Sequence, residues 1–196
     1  MQPGEIALLS SRVSEICGLK PPEPNPCRIT YSSDGWSGGV PEELDKGLDA
    51  LGVYTHVCRE IEIYSEKCRQ LAETFGWAPE AVRDVVLIHE ISHMAHHLGR
   101  DEGGSIGECF GKNSCSRQSI EEVAQETTLA VIRQHHPDLE PVFVELSDKC
   151  QPSEYRNWKE FQALLKTSPV EALDRLRSNV QALRAVDRTC LTDFQE

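Results

Sequence analysis

The sequence predicts an α+β fold that is predominantly helical, with a small sheet packed beside one long apolar helix. Three observations support this prediction. Apolar residues recur at helical spacing in several segments, one stretch alternates polar and apolar residues as a strand does, and one helix is apolar on almost every face. Hydrophobic residues make up 39% of the 196 residues, which is enough for a single packed core.

The N-terminal region is predicted to be an arm joined to a single domain. Apolar residues within 1–20 lie roughly at helical spacing, and four prolines between 21 and 26 then exclude regular structure. No internal repeat and no later linker is visible. We therefore expect a loosely attached N-terminal arm with a proline-rich connector over 1–27, followed by one domain over 28–196.

The predicted sheet comes next along the chain. A short strand is expected over 28–31, and residues 53–64 are rich in β-branched and aromatic side chains. Within that second stretch, Glu60-Ile61-Glu62-Ile63 alternates as a strand with one buried face should. Residues 65–76 then have the pattern of an amphipathic helix that ends at Gly76.

A central helix is predicted over 79–98. Pro79 lies in its first turn and Gly99 just past its end. A helix without a polar face is normally buried at the centre of a domain. The apolar residues that surround this helix are Val82, Val85, Val86, Leu87, Ile88, Ile91, Met94 and Leu98.

The rest of the chain is expected to be helical after a polar, glycine-rich loop over 100–118. Ser119 is the predicted N-cap of a helix that runs to about Gln134 and stops before Pro137. Two or three further helices are expected, roughly over 138–150, 153–166 and 169–186.

The charge balance argues against some partners. The net charge is −12, and a surface this acidic repels phosphate backbones and anionic lipid, so we expect neither a nucleic-acid nor a membrane partner. The longest uncharged apolar run near the middle, 85–88, is far too short to span a bilayer. Because no basic region precedes an apolar stretch at the N-terminus, no signal peptide is expected and the cytoplasm is the expected location.

The chain has eight cysteines, none of which forms a Cys-x-x-Cys pair. Cys109 and Cys115 are closest in sequence, and three readings remain open for them: a small disulfide loop, half of a separate structural zinc site, or free thiols. A cytoplasmic location favours free thiols.

The most specific signal is His89-Glu90-Ile91-Ser92-His93, which has the pattern H-E-x-x-H on the predicted central helix. Residues four apart lie on one helix face, so both imidazoles can bind one zinc ion while Glu90 reaches the water on that metal. Burying these groups together without a partner would be costly, and a bound dication removes that cost. The alternative is a pair of satisfied core histidines beside an ion-paired glutamate.

A hydrolytic zinc site takes a third protein ligand. A metzincin is excluded, because its glycine position is His96 here and its third histidine position is Gly99. A glutamate of the following helix is the other common solution, and Glu121, Glu122 and Glu126 are available there. Glu121 shares a helix face with Ala124, whose small side chain allows close approach to the central helix, so we favour Glu121 and keep Glu122 as the alternative.

These motifs resemble those of the gluzincins, the thermolysin-like branch of the zincin metallopeptidases. The matched stretches are 85–93 and 121–125, the latter similar to an E-x-x-A-D third-ligand motif with Gln125 in place of the aspartate. With His97 included, the motif is also similar to the H-E-x-x-H-x-x-x-H pattern of small ImmA-type peptidases. The resemblance implies a zincin-like fold, and it implies that the strand over 59–64 is the sheet edge that pairs with an extended peptide.

Two other residues are weaker candidates. His97 lies one turn beyond His93 and is either a group that supports the ligands or faces substrate, or a solvated histidine near a helix end. Tyr155 is either a donor that stabilises an oxyanion or a tyrosine packed with Trp158 and Phe161.

The function expected from these residues is a zinc-dependent peptidase acting on a peptide or protein substrate. His89, His93 and Glu121 would hold Zn²⁺, and Glu90 would be the general base that later protonates the leaving amine. The alternative is a zincin-fold regulatory or protein-binding module that keeps the metal but is catalytically silent. The sequence does not indicate an oligomeric state.

Overall fold

The computed structural model describes residues 3–22, 27–33, 51–107, 117–149 and 157–185. Within them the chain is mainly helical with one small mixed sheet, which confirms the predicted α+β class. The strands are β1 (Arg28–Ser32), β2 (Gly52–Thr55) and β3 (Glu60–Tyr64). The α-helices are α1 (Pro3–Ile16), α2 (Ser65–Phe75), α3 (Pro79–Leu98), α4 (Arg117–His135), α5 (Glu140–Lys149), α6 (Trp158–Thr167) and α7 (Pro169–Ala185), with a 3₁₀ turn over Pro137–Leu139.

The sheet has the order β1-β3-β2, so β3 is its central strand. It pairs in parallel with β1 and antiparallel with β2. The expectation that the strand over 59–64 forms the sheet edge is therefore wrong, because both backbone edges of β3 are already hydrogen-bonded to neighbours. Among the described strands, β1 and β2 are the ones at the edges.

The sheet lies against α3, as the sequence predicts. Contact is close at Gly52, where an added Cβ would come within 2.7 Å of Cγ1 of Val86. Ile61 and Ile63 of β3 are fully buried on the face that joins the core. This arrangement places β2 beside the helix that carries the two motif histidines.

The central helix forms as predicted, from Pro79 to Leu98. Its apolar side chains from Val82 to Leu98 are buried on every side of the helix. Gly99 follows as the C-cap, and its N–H donates to the carbonyl of Ala95. Arg184 of α7 also fixes this end of α3, because its guanidinium donates to the carbonyl oxygens of His96 (3.1 Å) and Gly99 (2.7 Å).

Helix α1, within the predicted arm, packs against α3 and α4. Leu9, Val13 and Ile16 of α1 are buried in the same core as those two helices. The division of the chain at residue 27 stays a prediction, but the helix before it contributes to the core of the whole fold.

The later helices follow the predicted order with shifted ends. Helix α4 begins at Arg117, so Ser119 lies inside its first turn and the predicted N-cap there is wrong. Within this first turn the amide of Gln118 donates to the carboxylate of Glu122. No helix within the described ranges is long and apolar enough to cross a membrane.

Candidate metal centre

Helix α3 places His89 and His93 one turn apart on the same face. Their Nε2 atoms are 3.1 Å apart, and the rings meet nearly edge to face, with centroids 4.7 Å apart. Two imidazole nitrogens this close either share a hydrogen bond or act as two ligands of one cation.

Helix α4 supplies the third group. Oε2 of Glu121 lies 3.2 Å from Nε2 of His89 and 3.4 Å from Nε2 of His93. The ligand atoms of the three residues lie within 4.8 Å of one another, so this group can hold a metal ion. The three residues that the sequence singles out as ligands are thus brought together, although their binding of a metal stays a prediction.

The neighbouring glutamates of α4 have other partners. Glu122 is half-buried and accepts a hydrogen bond from the amide of Gln118 at 2.9 Å. Glu126 accepts from Arg175 (2.6 Å) and Asn179 (3.1 Å) of α7. Glu121 is therefore the carboxylate of the three that faces the histidines, in agreement with the helix-face argument from the sequence.

The spacing of the three ligand atoms fits a tetrahedral ion. Zinc binds imidazole nitrogen and carboxylate oxygen at about 2.0–2.2 Å, which sets neighbouring ligand atoms of a tetrahedron about 3.3–3.6 Å apart. The observed separations of 3.1, 3.2 and 3.4 Å are close to that edge. The donor set of two imidazoles and one carboxylate is also one that catalytic zinc sites use.

Burial makes the negative charge of Glu121 energetically unfavourable unless a cation lies beside it. His89 is fully buried, and His93 and Glu121 are 6% and 7% exposed. Burial alone would raise the pKa of Glu121, but His93 and His89 outweigh it through charge and hydrogen bonds and hold this pKa well below its usual range. The carboxylate is therefore ionised and needs positive charge beside it, which either protonated histidines or a metal ion would supply.

Glu90, the predicted general base, lies in the same helical turn as His89 and is 2% exposed. Consecutive residues point about 100° apart around a helix, so Glu90 projects beside the three-residue group and not into it. Burial raises the pKa of the Tyr64 phenol on β3, and the negative charge of Glu90 raises this pKa further. Its catalytic role stays a prediction.

The histidines that follow the motif take two different positions. His96 is fully buried, and its Nε2 lies 3.0 Å from the hydroxyl of Thr127 on α4. His97 is half-buried, and its Nδ1 lies 2.7 Å from the hydroxyl of Tyr54 on β2. The sequence gives no signal for the Tyr54 contact, because 43 residues and a strand pairing separate the partners.

Several sequence-based candidates lie elsewhere. Cys109, Cys115 and Tyr155 fall outside the described residues. Gln125, which stands in place of the aspartate of the related motif, is fully buried one turn beyond Glu121. The described cysteines, Cys17, Cys27, Cys58 and Cys68, are free thiols.

Comparisons with family models, curated proteins and solved structures found no match to this chain.

Proposed function

We propose that this chain is a zinc-dependent peptidase with His89, His93 and Glu121 as the metal ligands. The observation that carries the proposal is the convergence of two Nε2 atoms and one carboxylate oxygen at 3.1–3.4 Å separations. These atoms come from two helices, and the third ligand is 28 residues beyond the second histidine. The same three groups could also form an ion pair between protonated histidines and Glu121, and metal content distinguishes that arrangement from a zinc site.

Zinc is favoured over harder cations by the donor set. Calcium and magnesium take six or more oxygen ligands, whereas two imidazoles with one carboxylate suit a borderline metal with a low coordination number. When bound, such a metal supplies Lewis-acid chemistry, lowering the pKa of a water molecule toward neutrality and polarising a carbonyl.

Glu90 is the proposed general base. Because it follows His89 directly on α3, its carboxylate would accept a proton from a water whose oxygen bonds to the peptide carbonyl carbon, and would deliver that proton to the amine nitrogen as the C–N bond breaks. The buried position of Glu90 excludes bulk water from the proton transfer. Peptide is the proposed substrate class because β2, an edge strand among the strands that the structure describes, lies against α3 and would offer backbone groups to an extended chain.

The test replaces Glu90 with glutamine, which keeps the shape and removes the base. Proton transfer by a positioned carboxylate contributes about 10²- to 10⁴-fold in rate, so cleavage should fall by that factor. The readout is the appearance of new N-termini, by mass spectrometry, in a peptide library and in the native cell extract. Zinc content and melting temperature serve as controls, and both should match those of the wild type.

A second candidate function is a metal-holding but catalytically silent module. The specific observation in its favour is burial, since His89, Glu90, His93 and Glu121 are all at most 7% exposed, and closed sites are typical of structural metals. Wild-type protein that binds zinc yet produces no new N-termini in either assay would favour this candidate and contradict the peptidase proposal.

A further inference from the structure

Helices α3 and α4, which carry the proposed metal ligands, also meet at a second polar contact. Nε2 of His96 on α3 lies 3.0 Å from the hydroxyl oxygen of Thr127 on α4, and both side chains are fully buried. The thiol sulfur of Cys17, the residue that follows α1, lies 3.8 Å from the same oxygen. Three segments of the chain thus meet at one hydroxyl group. We call these three residues the Thr127 network, and the proposed function assigns no role to them.

The geometry of the Thr127 network shows which groups donate. The Thr127 hydroxyl lies 2.8 Å from the carbonyl oxygen of Val123, one turn back on α4, and donates its single proton to that oxygen. Toward its other two neighbours the hydroxyl oxygen is therefore the acceptor, so the Nε2–H of His96 and the S–H of Cys17 donate to it. The one proton and both lone pairs of the hydroxyl are then used. This complete set of hydrogen bonds fixes the distance between α3 and α4 at Thr127.

The α3 side of this contact is also held through its main chain. The guanidinium of Arg184 on α7 donates to the carbonyl oxygen of His96 at 3.1 Å and to that of Gly99 at 2.7 Å. His96 is therefore fixed by its backbone as well as by its side chain. The hydrogen bond from its imidazole to Thr127 then sets the position of α4 relative to this fixed end of α3.

The Thr127 network and the ligand group together define the register of the two helices. His96 lies one turn beyond His93 on α3, and Thr127 lies six residues beyond Glu121 on α4. At 1.5 Å per residue, Thr127 is about 9 Å from Glu121 along the axis of α4. Two contacts at this separation restrict both the sliding of α4 along α3 and the angle between the helices. Apolar packing is non-directional, whereas a hydrogen bond limits distance and angle to a narrow range.

The position of Glu121 near the start of α4 makes this second contact important. Glu121 is the fifth residue of a helix that begins at Arg117, and the first four N–H groups of a helix have no partner within it. The ligand-bearing end of α4 is therefore positioned in part by contacts further along the helix. Zinc–ligand distances in proteins vary by only about 0.2 Å, so a small slide of α4 would weaken the bond to the Glu121 carboxylate.

We propose that Thr127 is a positioning residue of the metal site. Its hydrogen bonds with His96 and Cys17 hold α4 in the register that brings the carboxylate of Glu121 to the two ligand histidines. Without them the metal itself would have to bring Glu121 into place, and that reorganisation would be lost from the binding free energy. The inference rests on the metal ligands of the proposed function and does not depend on peptidase activity.

The experiment measures the zinc affinity of the full chain by competition with a chromophoric chelator. Thr127→Val removes the hydroxyl and nearly keeps the shape, whereas Thr127→Ser keeps the hydroxyl. Thr128→Val is the matched control, because Thr128 is the next residue, is equally buried and donates to the carbonyl oxygen of Ala124 within α4 at 2.7 Å. Circular dichroism of the metal-free proteins establishes that each variant is folded. In a fully folded chain the apparent affinity is that of the native site, so a loss of stability alone does not change it.

Thr127→Val should raise the Kd for zinc about tenfold, which is the loss expected when a group that orients metal ligands is removed. Thr127→Ser and Thr128→Val should keep the wild-type Kd. If Thr127→Val does not fold, Cys17→Ala replaces it and should raise the Kd about threefold, because one of two donors to the hydroxyl is lost.

An unchanged Kd in the variant that replaces Thr127 or Cys17 would overturn the inference, as would an equal rise in Thr128→Val. These results would leave the metal site itself in place. Wild-type protein that binds no zinc would contradict the proposed ligands and this inference together. Zinc binding without new N-termini would contradict only the peptidase.

Discussion

Helix α4 buries two carboxylates five residues apart, and they are neutralised in different ways. Glu126 meets the guanidinium of Arg175 and the amide of Asn179, so a permanent cation stands beside it. Glu121 meets His89 and His93, which are cationic only when protonated. Glu126 thus has a permanent cation within the fold, whereas the positive charge beside Glu121 must come from protonated histidines or from a bound cation.

The largest difference between the two sites should appear on metal removal. A ligand present at 1,000 times its Kd stabilises the native state by about 4 kcal/mol, so a chelator should lower the free energy of unfolding of wild-type protein by about that amount. Urea unfolding with and without chelator measures the change. The protein with Glu121→Gln should respond much less, and an equal response of the two proteins would contradict the assignment of Glu121.

The site of Glu126 should behave in the opposite way. Glu126→Gln leaves a buried amide beside Arg175 and should cost about 1–3 kcal/mol of unfolding free energy, because a charged hydrogen-bonded partner is lost. Since no metal is involved, the same loss is expected with and without chelator. A loss that vanishes in chelator would show that Glu126 is coupled to the metal and that the two carboxylates do not differ as proposed.

A smaller effect on stability, one that depends on pH, is expected from the buried histidine His96. Burial lowers the pKa of His96 from 6.5 to about 3, so the folded chain keeps this imidazole neutral. The unfolded chain binds the proton first as the pH falls, and His96 therefore removes stability as the pH falls from about 6.5 to about 3.

Urea unfolding in chelator at pH 7 and pH 5 measures this effect. His96→Gln protein should lose less stability over that interval than wild type does. Identical losses would mean that His96 titrates alike in the folded and unfolded chains.

Local signals account for most of what the sequence predicts correctly. Pro79 marks the beginning of α3 and Gly99 follows its end. A spacing of four residues on a helix places His89 and His93 on one face, independently of the rest of the fold. The prediction of Glu121 also required knowing which face of α4 lies toward α3. In the structure Glu121 is the glutamate of α4 that faces the two histidines.

Long-range pairing accounts for what the sequence misses. The alternation in β3 indicates a strand but not its place in the sheet, so the central position between β1 and β2 could not be derived. The contacts of Tyr54 with His97 and of Glu126 with Arg175 join residues 43 and 49 positions apart. Neither contact leaves a local pattern in the chain.

The metal content of protein purified without chelator, measured by inductively coupled plasma mass spectrometry, tests the proposed zinc site directly. Wild-type protein should carry about one zinc per chain, as should the matched controls Glu122→Gln and Glu126→Gln, whereas His89→Ala and Glu121→Gln should lose it. Wild-type protein without metal would contradict the proposed site, as would zinc that is kept by Glu121→Gln and lost by Glu122→Gln.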